Sequence, residues 1–283
     1  MSEFFEVRPV GAGQPNTYQA TVDDEWRYAD RIFGGYTTAL ALYCAWLSAP
    51  LPVLASTYAM FLNPISAGPL TAEVTTLRAG RSASARRVLL SQRGTTVLSC
   101  DAWFLHRAPR PMSSPSAAPF APDPAPDPDR CERVGWLGKL YPFMDAHFET
   151  RALSYPATPG DSTGSHGGVA LWSRPLRDWD LPPEVTPWIT DVLLLDAYLL
   201  DPALWRYGME TVTGYSLDLS ISWSGLRPSP TPWTRMEATA HGDGDFLVCT
   251  GQTIDGTGTA RTHAVQHGKL TITDEGTRKL HVS

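Results

Sequence analysis

The chain has 283 residues and a formal net charge of −6, with 42% hydrophobic and 18% charged residues. These proportions are those of a globular protein that buries a sizeable core, and they exclude a chain that is disordered over most of its length. The acidic balance gives no general basic field, so a nucleic-acid partner is not expected.

The N-terminal segment and the cysteines favour a soluble, cytoplasmic protein without a membrane partner. Residues 1–6 lack the basic and apolar regions of a secretory signal. The apolar run 37–49 is shorter than the roughly 20 residues that span a bilayer. The cysteines have no CxxC spacing, which predicts reduced thiols rather than a disulfide framework or a metal site, with Cys44 and Cys100 in the core. They lie at Cys44, Cys100, Cys131 and Cys249.

A proline-rich stretch divides the chain near its middle. Eight prolines fall between Ala108 and Asp129. This density excludes a helix or an interior strand and predicts an extended, semi-rigid connector. We therefore predict an N-terminal domain over residues 1–107, a connector over 108–133 and a C-terminal domain over 134–283.

Before the connector, the sequence predicts one helix followed by an antiparallel meander. Gly34-Gly35 opens a run from Tyr36 to Ser48 that is apolar almost all round, as expected for a helix buried on most sides. Short strand-like segments joined by turns follow, the last after a turn at Arg93-Gly94. The predicted strands are 54–62, 70–77, 85–91 and 95–105.

After the connector the same order recurs. A second helix is predicted from Ile189 to Leu200, started by Thr190-Asp191 and closed by Pro202. The segment 136–183 is expected to hold the strands that begin this half. Two copies of one α+β unit, each a helix wrapped by an antiparallel sheet, are the economical interpretation. The later predicted strands are 211–223, 234–240, 246–253 and 259–273, with a turn at Asp255-Gly256 before the last.

Three stretches of the first half resemble the acyl-CoA thioesterase II family. They match its helix-opening FGG motif, its strand that ends in a phenylalanine and a proline turn, and its LRDGRSFSxRRV stretch. The resemblance implies a double hotdog, meaning two tandem hotdog units that each wrap an antiparallel sheet around a central helix, and assembly into a homo-oligomer. The stretches are Arg31-Ile-Phe-Gly-Gly-Tyr36, Tyr58-Ala-Met-Phe-Leu-Asn-Pro64 and Thr76-Leu-Arg-Ala-Gly-Arg-Ser-Ala-Ser-Ala-Arg-Arg-Val88.

In the second half, the family places a catalytic Asp at the central helix, a Thr or Ser on the next strand and a Gln on the last strand. Asp191, Ser216 and Gln266 match these positions, Gln266 within Val265-Gln-His-Gly268. The resemblance implies that Asp191 acts as general base or water-orienting carboxylate while Ser216 and Gln266 bind the same water. The implied reaction hydrolyses an acyl thioester of CoA, or of a carrier protein, to a free acid and a thiol.

The chain departs from the family pattern in two places. Ala55 and Tyr58 stand where histidines are often seen in the first half. The aromatic-His-Arg-Pro turn of the second half survives only as Leu226-Arg227-Pro228. These departures affect the expected substrate range more than the expected chemistry.

Two further groups are predicted to bind substrate. Gly34 and Gly35, followed by Tyr36, open a helix whose N-terminal N–H groups suit the oxyanion of thioester hydrolysis, because glycine allows close approach and the helix dipole favours negative charge. The second group is a local basic patch for the CoA phosphates, formed by Arg81, Arg86 and Arg87. No cofactor is expected beyond the CoA of the substrate itself.

Each of these residues has a simpler interpretation. Thr190-Asp191 before an apolar run is typical of a helix N-cap. Ser216 and Gln266, taken singly, are ordinary strand residues, and the glycine pair is also compatible with tight helix–sheet packing. The three arginines equally fit a solvated hairpin.

The sequence also contains patterns that are typical of other functions. Gly160-Asp-Ser-Thr-Gly164 satisfies the GxSxG pattern of serine hydrolases, but its Pro- and Gly-rich surroundings lack the required strand and helix. His263 and His267 have no third metal ligand in sequence. A non-catalytic acyl-thioester-binding protein remains an alternative. A hotdog hydratase or dehydratase is disfavoured because the sequence shows no evident Asp/His pair.

Overall fold

The structure is a computed structural model whose described residues form two compact units. Unit 1 comprises those within 1–117, 177–193 and 220–228, and unit 2 those within 118–176, 194–219 and 229–283. Residues 177–193 and 220–228, assigned by sequence to the C-terminal domain, thus group with unit 1. The structure describes residues 4–11, 13–48, 51, 53–107, 125–135, 141–155, 168–207, 212–224, 231–242 and 244–272. Outside them lie most of the predicted connector, the GxSxG motif and the Leu226-Arg227-Pro228 turn.

Unit 1 packs one long helix against a six-stranded antiparallel sheet. The strand order is β1-β2-β6-β7-β8-β5, and β3 pairs with β4 separately. A 3-10 turn over Asp24–Trp26 precedes β3. The elements are β1 (Glu6–Pro9), β2 (Thr17–Val22), β3 (Arg27–Tyr28), β4 (Arg31–Ile32), α1 (Gly34–Ser48), β5 (Val53–Phe61), β6 (Gly68–Ala79), β7 (Ala83–Gln92) and β8 (Thr95–Leu105).

The core of unit 1 forms on both sides of α1. The helix contacts β6, β7 and β8, and its residues 35–45 are all buried, as its apolar pattern predicts. On another side, Tyr36 stacks on Trp26 with ring centroids 4.5 Å apart, and Tyr43 stacks on Phe5 at 5.2 Å. The prediction of a buried helix is confirmed, and so is its end at Ser48.

Unit 2 has a similar sheet with shorter helical segments. Its strand order is β11-β14-β13-β12-β10-β9, and α4 contacts β10 and β12. Helix α3 begins among residues of unit 1 and ends among residues of unit 2. The elements are α2 (Pro142–His147), β9 (Phe148–Ser154), β10 (Gly168–Pro175), α3 (Thr186–Tyr198), α4 (Asp201–Tyr207), β11 (Val212–Trp223), β12 (Thr234–His241), β13 (Phe246–Asp255) and β14 (Ala260–Ile272).

The two sheets repeat one topology. In each unit, the first strand after the long helix neighbours the fourth, then the third and then the second. A strand that precedes the helix pairs with that second strand: β2 with β6 in unit 1 and β10 with β12 in unit 2. The predicted recurrence of a helix and a meander is therefore present in the strand order.

The second long helix starts earlier than the sequence analysis predicts. Helix α3 begins at Thr186, not at Ile189, because Pro187 is tolerated in the first turn, where a backbone N–H has no intrahelical acceptor. Pro202 does not close this helix. It is the second residue of α4, where proline is again compatible with the first turn.

Two glycines of the unit 2 sheet leave room for the leucine side chains that follow α3. A Cβ on Gly268 would lie 2.2 Å from Leu200 Cδ2, and a Cβ on Gly251 would lie 2.5 Å from the Glu237 carbonyl oxygen and 2.7 Å from Leu199 Cδ2. All three distances are far below van der Waals contact. The glycines therefore let the residues after α3 pack directly on β13 and β14.

The described part of the connector packs on unit 2. Cys131 forms a small apolar cluster with Trp172 and Trp233, and Trp172 Nε1 donates to the Pro126 carbonyl oxygen at 3.1 Å. All four cysteines are buried free thiols, which confirms the core placement of Cys44 and Cys100. Across the described residues, no helix combines the length and apolarity needed to cross a membrane.

Candidate functional site

Ser216 and Gln266 lie together inside unit 2, and the carboxylate between them belongs to Asp196. Ser216 Oγ donates to Asp196 Oδ1 at 2.9 Å, and Gln266 Nε2 donates to the same oxygen at 2.6 Å. Gln266 Nε2 also donates to Ser216 Oγ at 2.9 Å. The predicted grouping of these two residues with Asp191 is therefore corrected: Asp196 takes that place.

The fold brings the three side chains together from one helix and two neighbouring strands. Ser216 lies on β11 and Gln266 on the adjacent β14. Asp196 lies near the C-terminal end of α3. Its carboxylate faces the sheet, because it accepts hydrogen bonds from side chains on these two strands.

Asp191 has a different environment, in unit 1. It is fully buried, and its Oδ2 accepts a hydrogen bond from Trp223 Nε1 at 3.0 Å. Five residues along a helix correspond to a rotation of about 140°, so Asp191 and Asp196 lie on different faces of α3. The N-cap interpretation of Thr190-Asp191 is also wrong, since Thr190 Oγ1 donates to the Thr186 carbonyl oxygen within the helix.

One acceptor atom of this group, Gln266 Oε1, has no hydrogen-bond partner among the described residues. A carboxylate only accepts, so the Gln266 amide must turn its Nε2 toward Asp196. Its other end, Oε1, is buried. A buried acceptor without a partner costs about 1–3 kcal/mol, which makes this atom a binding point for water or a ligand.

The predicted oxyanion residues open α1, as expected. Gly34 is the first residue of the helix and Gly35 the second. Tyr36 is only 3% exposed, stacks on Trp26, and its hydroxyl donates to the Phe4 carbonyl oxygen at 3.4 Å. Burial raises the pKa of Tyr36 well above its usual value. Tyr36 thus belongs to the core of unit 1, and the oxyanion role of Gly34 and Gly35 stays a prediction.

The three predicted CoA-binding arginines do not share one surface. Arg87 is exposed and forms a two-pronged ion pair with Asp101 at 2.7 and 2.6 Å. Arg86 points to the opposite side of β7, is 6% exposed and donates to the Arg78 and Ala85 carbonyl oxygens. Arg81 is exposed in the turn between β6 and β7. A basic patch of all three is therefore wrong, whereas phosphate binding by Arg81 or Arg87 stays a prediction.

An open groove of about 720 Å³ on unit 2 is separate from the Asp196 group. Its lining includes Thr239, Thr250, His263 and Val265 but none of Asp196, Ser216 or Gln266. On β14, His263 and Val265 are exposed, whereas the side chain of Gln266 is buried. The groove therefore does not serve the buried polar group.

Comparison with known proteins finds a family model that matches part of the chain. Residues 22–105 match the family model described as the acyl-CoA thioesterase N-terminal domain. Over these residues the chain is similar to acyl-CoA thioesterases. The predicted resemblance and the predicted class of enzyme, a thioester hydrolase, are confirmed. Among curated proteins, none matches the sequence.

Solved structures that are similar to this chain cover nearly all of it and show the hotdog fold. The tesB protein of Mycobacterium avium subsp. paratuberculosis superposes with a TM-score of 0.72 at 22% identity, covering 94% of this chain and 96% of its own. Acyl-CoA thioesterase II TesB2 of Mycobacterium marinum gives 0.69 at 20% identity, with 96% and 97% covered. A hot dog fold protein of unknown function from Alicyclobacillus acidocaldarius gives 0.73 at 18% identity, with 94% and 95% covered.

The sequence did contain a signal for Asp196. Asp196 stands inside the apolar run from Val192 to Leu200, where a carboxylate needs a buried polar partner. Asp191 was instead matched to the catalytic aspartate that the family places at the central helix, with the helix start predicted at Ile189 rather than at Thr186.

Proposed function

We propose that Asp196, Ser216 and Gln266 bind and activate the water that hydrolyses an acyl-CoA thioester. The observation that carries this proposal is the buried, unpartnered Gln266 Oε1 beside a carboxylate whose Oδ1 already accepts two hydrogen bonds. A water there donates one hydrogen to Gln266 Oε1 and the other to Asp196. Its lone pair is then directed away from both acceptors, toward a thioester carbonyl carbon.

The proposed reaction follows from this orientation. Asp196 takes a proton from the water as its oxygen bonds to the carbonyl carbon, which gives a tetrahedral oxyanion. Collapse of the oxyanion breaks the carbon–sulfur bond and releases the CoA thiolate. Asp196 then returns its proton to the thiolate, so that the products are the free acid and the thiol and the carboxylate is restored.

Ser216 is proposed to hold Asp196 rather than to attack the substrate. Its hydroxyl donates to the Asp196 carboxylate and accepts from Gln266 Nε2, so its hydrogen is committed. A serine nucleophile would instead need a base that accepts its proton and an open path to the carbonyl. In this arrangement the carboxylate orientation, and hence the water position, depends on Ser216.

The repeated strand order supports the double-hotdog arrangement, which we propose for the whole chain. No cofactor is needed in this mechanism, because side chains alone orient and deprotonate the water. A carrier-protein thioester as an additional substrate, a homo-oligomer and a cytoplasmic location stay predictions.

The two alternative functions are less well supported. A protein that only binds acyl thioesters gains nothing from an unpaired amide oxygen beside a buried carboxylate. A hydratase-type reaction calls for an Asp/His pair at the substrate. The Asp218–His267 pair found in unit 2 lies on the outer side of the strands, where the His267 side chain is 53% exposed.

Thiol release from acyl-CoAs tests the proposal. We expect the wild type to release thiol and free acid in equal amounts from at least one member of a panel of short, long and aromatic acyl-CoAs. Gln266→Leu keeps the side-chain volume but removes both hydrogen-bonding ends, and we expect kcat to fall about 10²-fold, the loss typical of one positioned polar group.

Gln252→Leu is the matched control. Gln252 lies on β13, and its Nε2 donates to Glu237 at 2.9 Å, away from the Asp196 group. Its kcat is expected to stay within about two-fold of wild type, within the usual effect of a substitution away from the chemistry. If the folded wild type releases no thiol from any acyl-CoA of the panel, the proposed function is contradicted.

A further inference from the structure

Asp218 and His267 form a pair directly behind the proposed water site. His267 Nδ1 lies 2.9 Å from Asp218 Oδ1, and the His267 backbone N–H donates to the same carboxylate oxygen at 3.0 Å. Asp218 is two residues from Ser216 on β11, and His267 is next to Gln266 on β14. The Asp218 carboxylate therefore links β11 and β14, the two strands that carry Ser216 and Gln266.

The burial pattern of β11 shows why a side chain is needed at this point. The buried residues are even-numbered at the start of the strand, at Val212 and Gly214. From Leu219 onward the buried residues are odd-numbered, so the alternation changes phase within the strand. Ser216, whose hydroxyl faces Asp196, is the last inward residue of the even phase. A change of phase requires one extra residue, as in a β-bulge, which interrupts the backbone hydrogen bonds of the ladder.

The Asp218 carboxylate bonds the neighbouring strand at this point. Close to the phase change, the backbone N–H of His267 donates to the Asp218 side chain. A backbone N–H without such an acceptor costs free energy, and the strands would shift to regain one. A shift of either strand moves Ser216 or Gln266 relative to Asp196.

We infer that Asp218 and His267 are positioning residues, which set the distances from Ser216 and Gln266 to Asp196 through this cross-strand hydrogen bond. The His267 side chain is 53% exposed, whereas the neighbouring Gln266 is fully buried, so the two side chains lie on opposite sides of β14. The inference rests on the proposed function, since its readout is the rate of thioester hydrolysis. It explains why the Val265-Gln-His-Gly268 sequence follows its glutamine with a histidine: Gln266 faces the site, His267 faces Asp218 and Gly268 admits Leu200.

Two substitutions of Asp218 test the inference. Asp218→Ala removes the acceptor, and we expect kcat to fall about 10- to 100-fold with KM nearly unchanged, since misplacement by about 1 Å costs up to about 10²-fold. Asp218→Asn keeps an amide oxygen for the His267 N–H, so kcat is expected within about three-fold of wild type. Rates are measured per folded protein, well below the unfolding temperature of each variant.

Glu237→Ala provides the matched structural control. It removes a carboxylate from a cross-strand contact on the same sheet, between Glu237 and Gln252, and also the ion pair of Glu237 with Arg235. We expect it to lower stability as Asp218→Ala does but to leave kcat unchanged. Asp218→Ala with kcat within two-fold of wild type overturns the inference, and so does Asp218→Asn that is as slow as Asp218→Ala. A wild type without activity refutes the proposed function instead, so the two failures are distinguishable.

Discussion

Asp196→Asn is expected to abolish most thioester hydrolysis while leaving the fold intact. The asparagine keeps an oxygen that accepts from Ser216 and Gln266, so the geometry of the group is retained. It loses the ability to take a proton from water. General-base catalysis typically contributes about 10²–10⁴-fold, and we expect kcat to fall by that factor with little change in KM.

Asp191→Asn is the matched control on the same helix. Its amide oxygen still accepts the Trp223 indole N–H, so the buried contact in unit 1 survives. We expect kcat within about three-fold of wild type. Equal losses for both variants, or a larger loss for Asp191→Asn, would show that Asp196 is not the base. Thermal unfolding and circular dichroism establish that each variant is folded before the rates are compared.

The unfolding free energy is expected to fall as pH rises from about 4 to about 7 because of Asp201. This carboxyl is fully buried and accepts from the hydroxyls of Tyr141, at 2.7 Å, and Tyr155. Burial raises the pKa of Asp201 to about 7, and the two tyrosine hydrogen bonds only partly offset it. The folded state thus keeps a proton that the unfolded chain, with a pKa of 3.8, has released.

The direction and size of this change in unfolding free energy follow from the linkage between proton binding and folding. Where the folded state binds more protons than the unfolded state, stability falls with rising pH, by at most about 1.4 kcal/mol per pH unit for one group. The raised pKa of Asp201 gives stability that is complete below about pH 4 and is lost as pH rises through about 7. The full loss is on the order of 4 kcal/mol for a shift of about three pKa units.

Asp201→Asn isolates this contribution. The amide is permanently neutral, and it donates to one tyrosine oxygen while accepting from the other hydroxyl. In urea unfolding at pH 5, 6, 7 and 8, we expect the wild type to lose stability relative to the variant as pH rises. Asp30→Asn, at an exposed ion pair with Arg31, is expected to run parallel to the wild type over this range. A constant offset between wild type and Asp201→Asn contradicts the assignment.

Much of the fold was predictable because its signals are local. The apolar run of α1 and the turn at Arg93-Gly94, where both residues have positive φ, fixed the first helix and the hairpin into β8. Strands β1 to β4 were missed, because two- to six-residue strands leave little periodicity to detect. The start of α3 was misplaced because Pro187 was not recognised as a first-turn residue.

The site was predictable in its residue types but not in full. Ser216 and Gln266 follow from short strand motifs, and the structure brings them together. Selecting Asp196 over Asp191 required knowing which face of α3 meets β11 and β14, and that depends on tertiary packing. The direction of Arg86 needed the register of β7, and the role of Asp218 needed a phase change that no sequence pattern shows.

The most direct test of the central claim is rapid-mixing of the wild type with excess acyl-CoA, followed by parallel measurement of thiol and free acid. Attack by a water held at Asp196 and Gln266 predicts that both products appear together at one rate, from the first turnover. A burst of about one thiol per active site, with the acid lagging behind, would reveal a covalent acyl-enzyme and contradict direct hydrolysis.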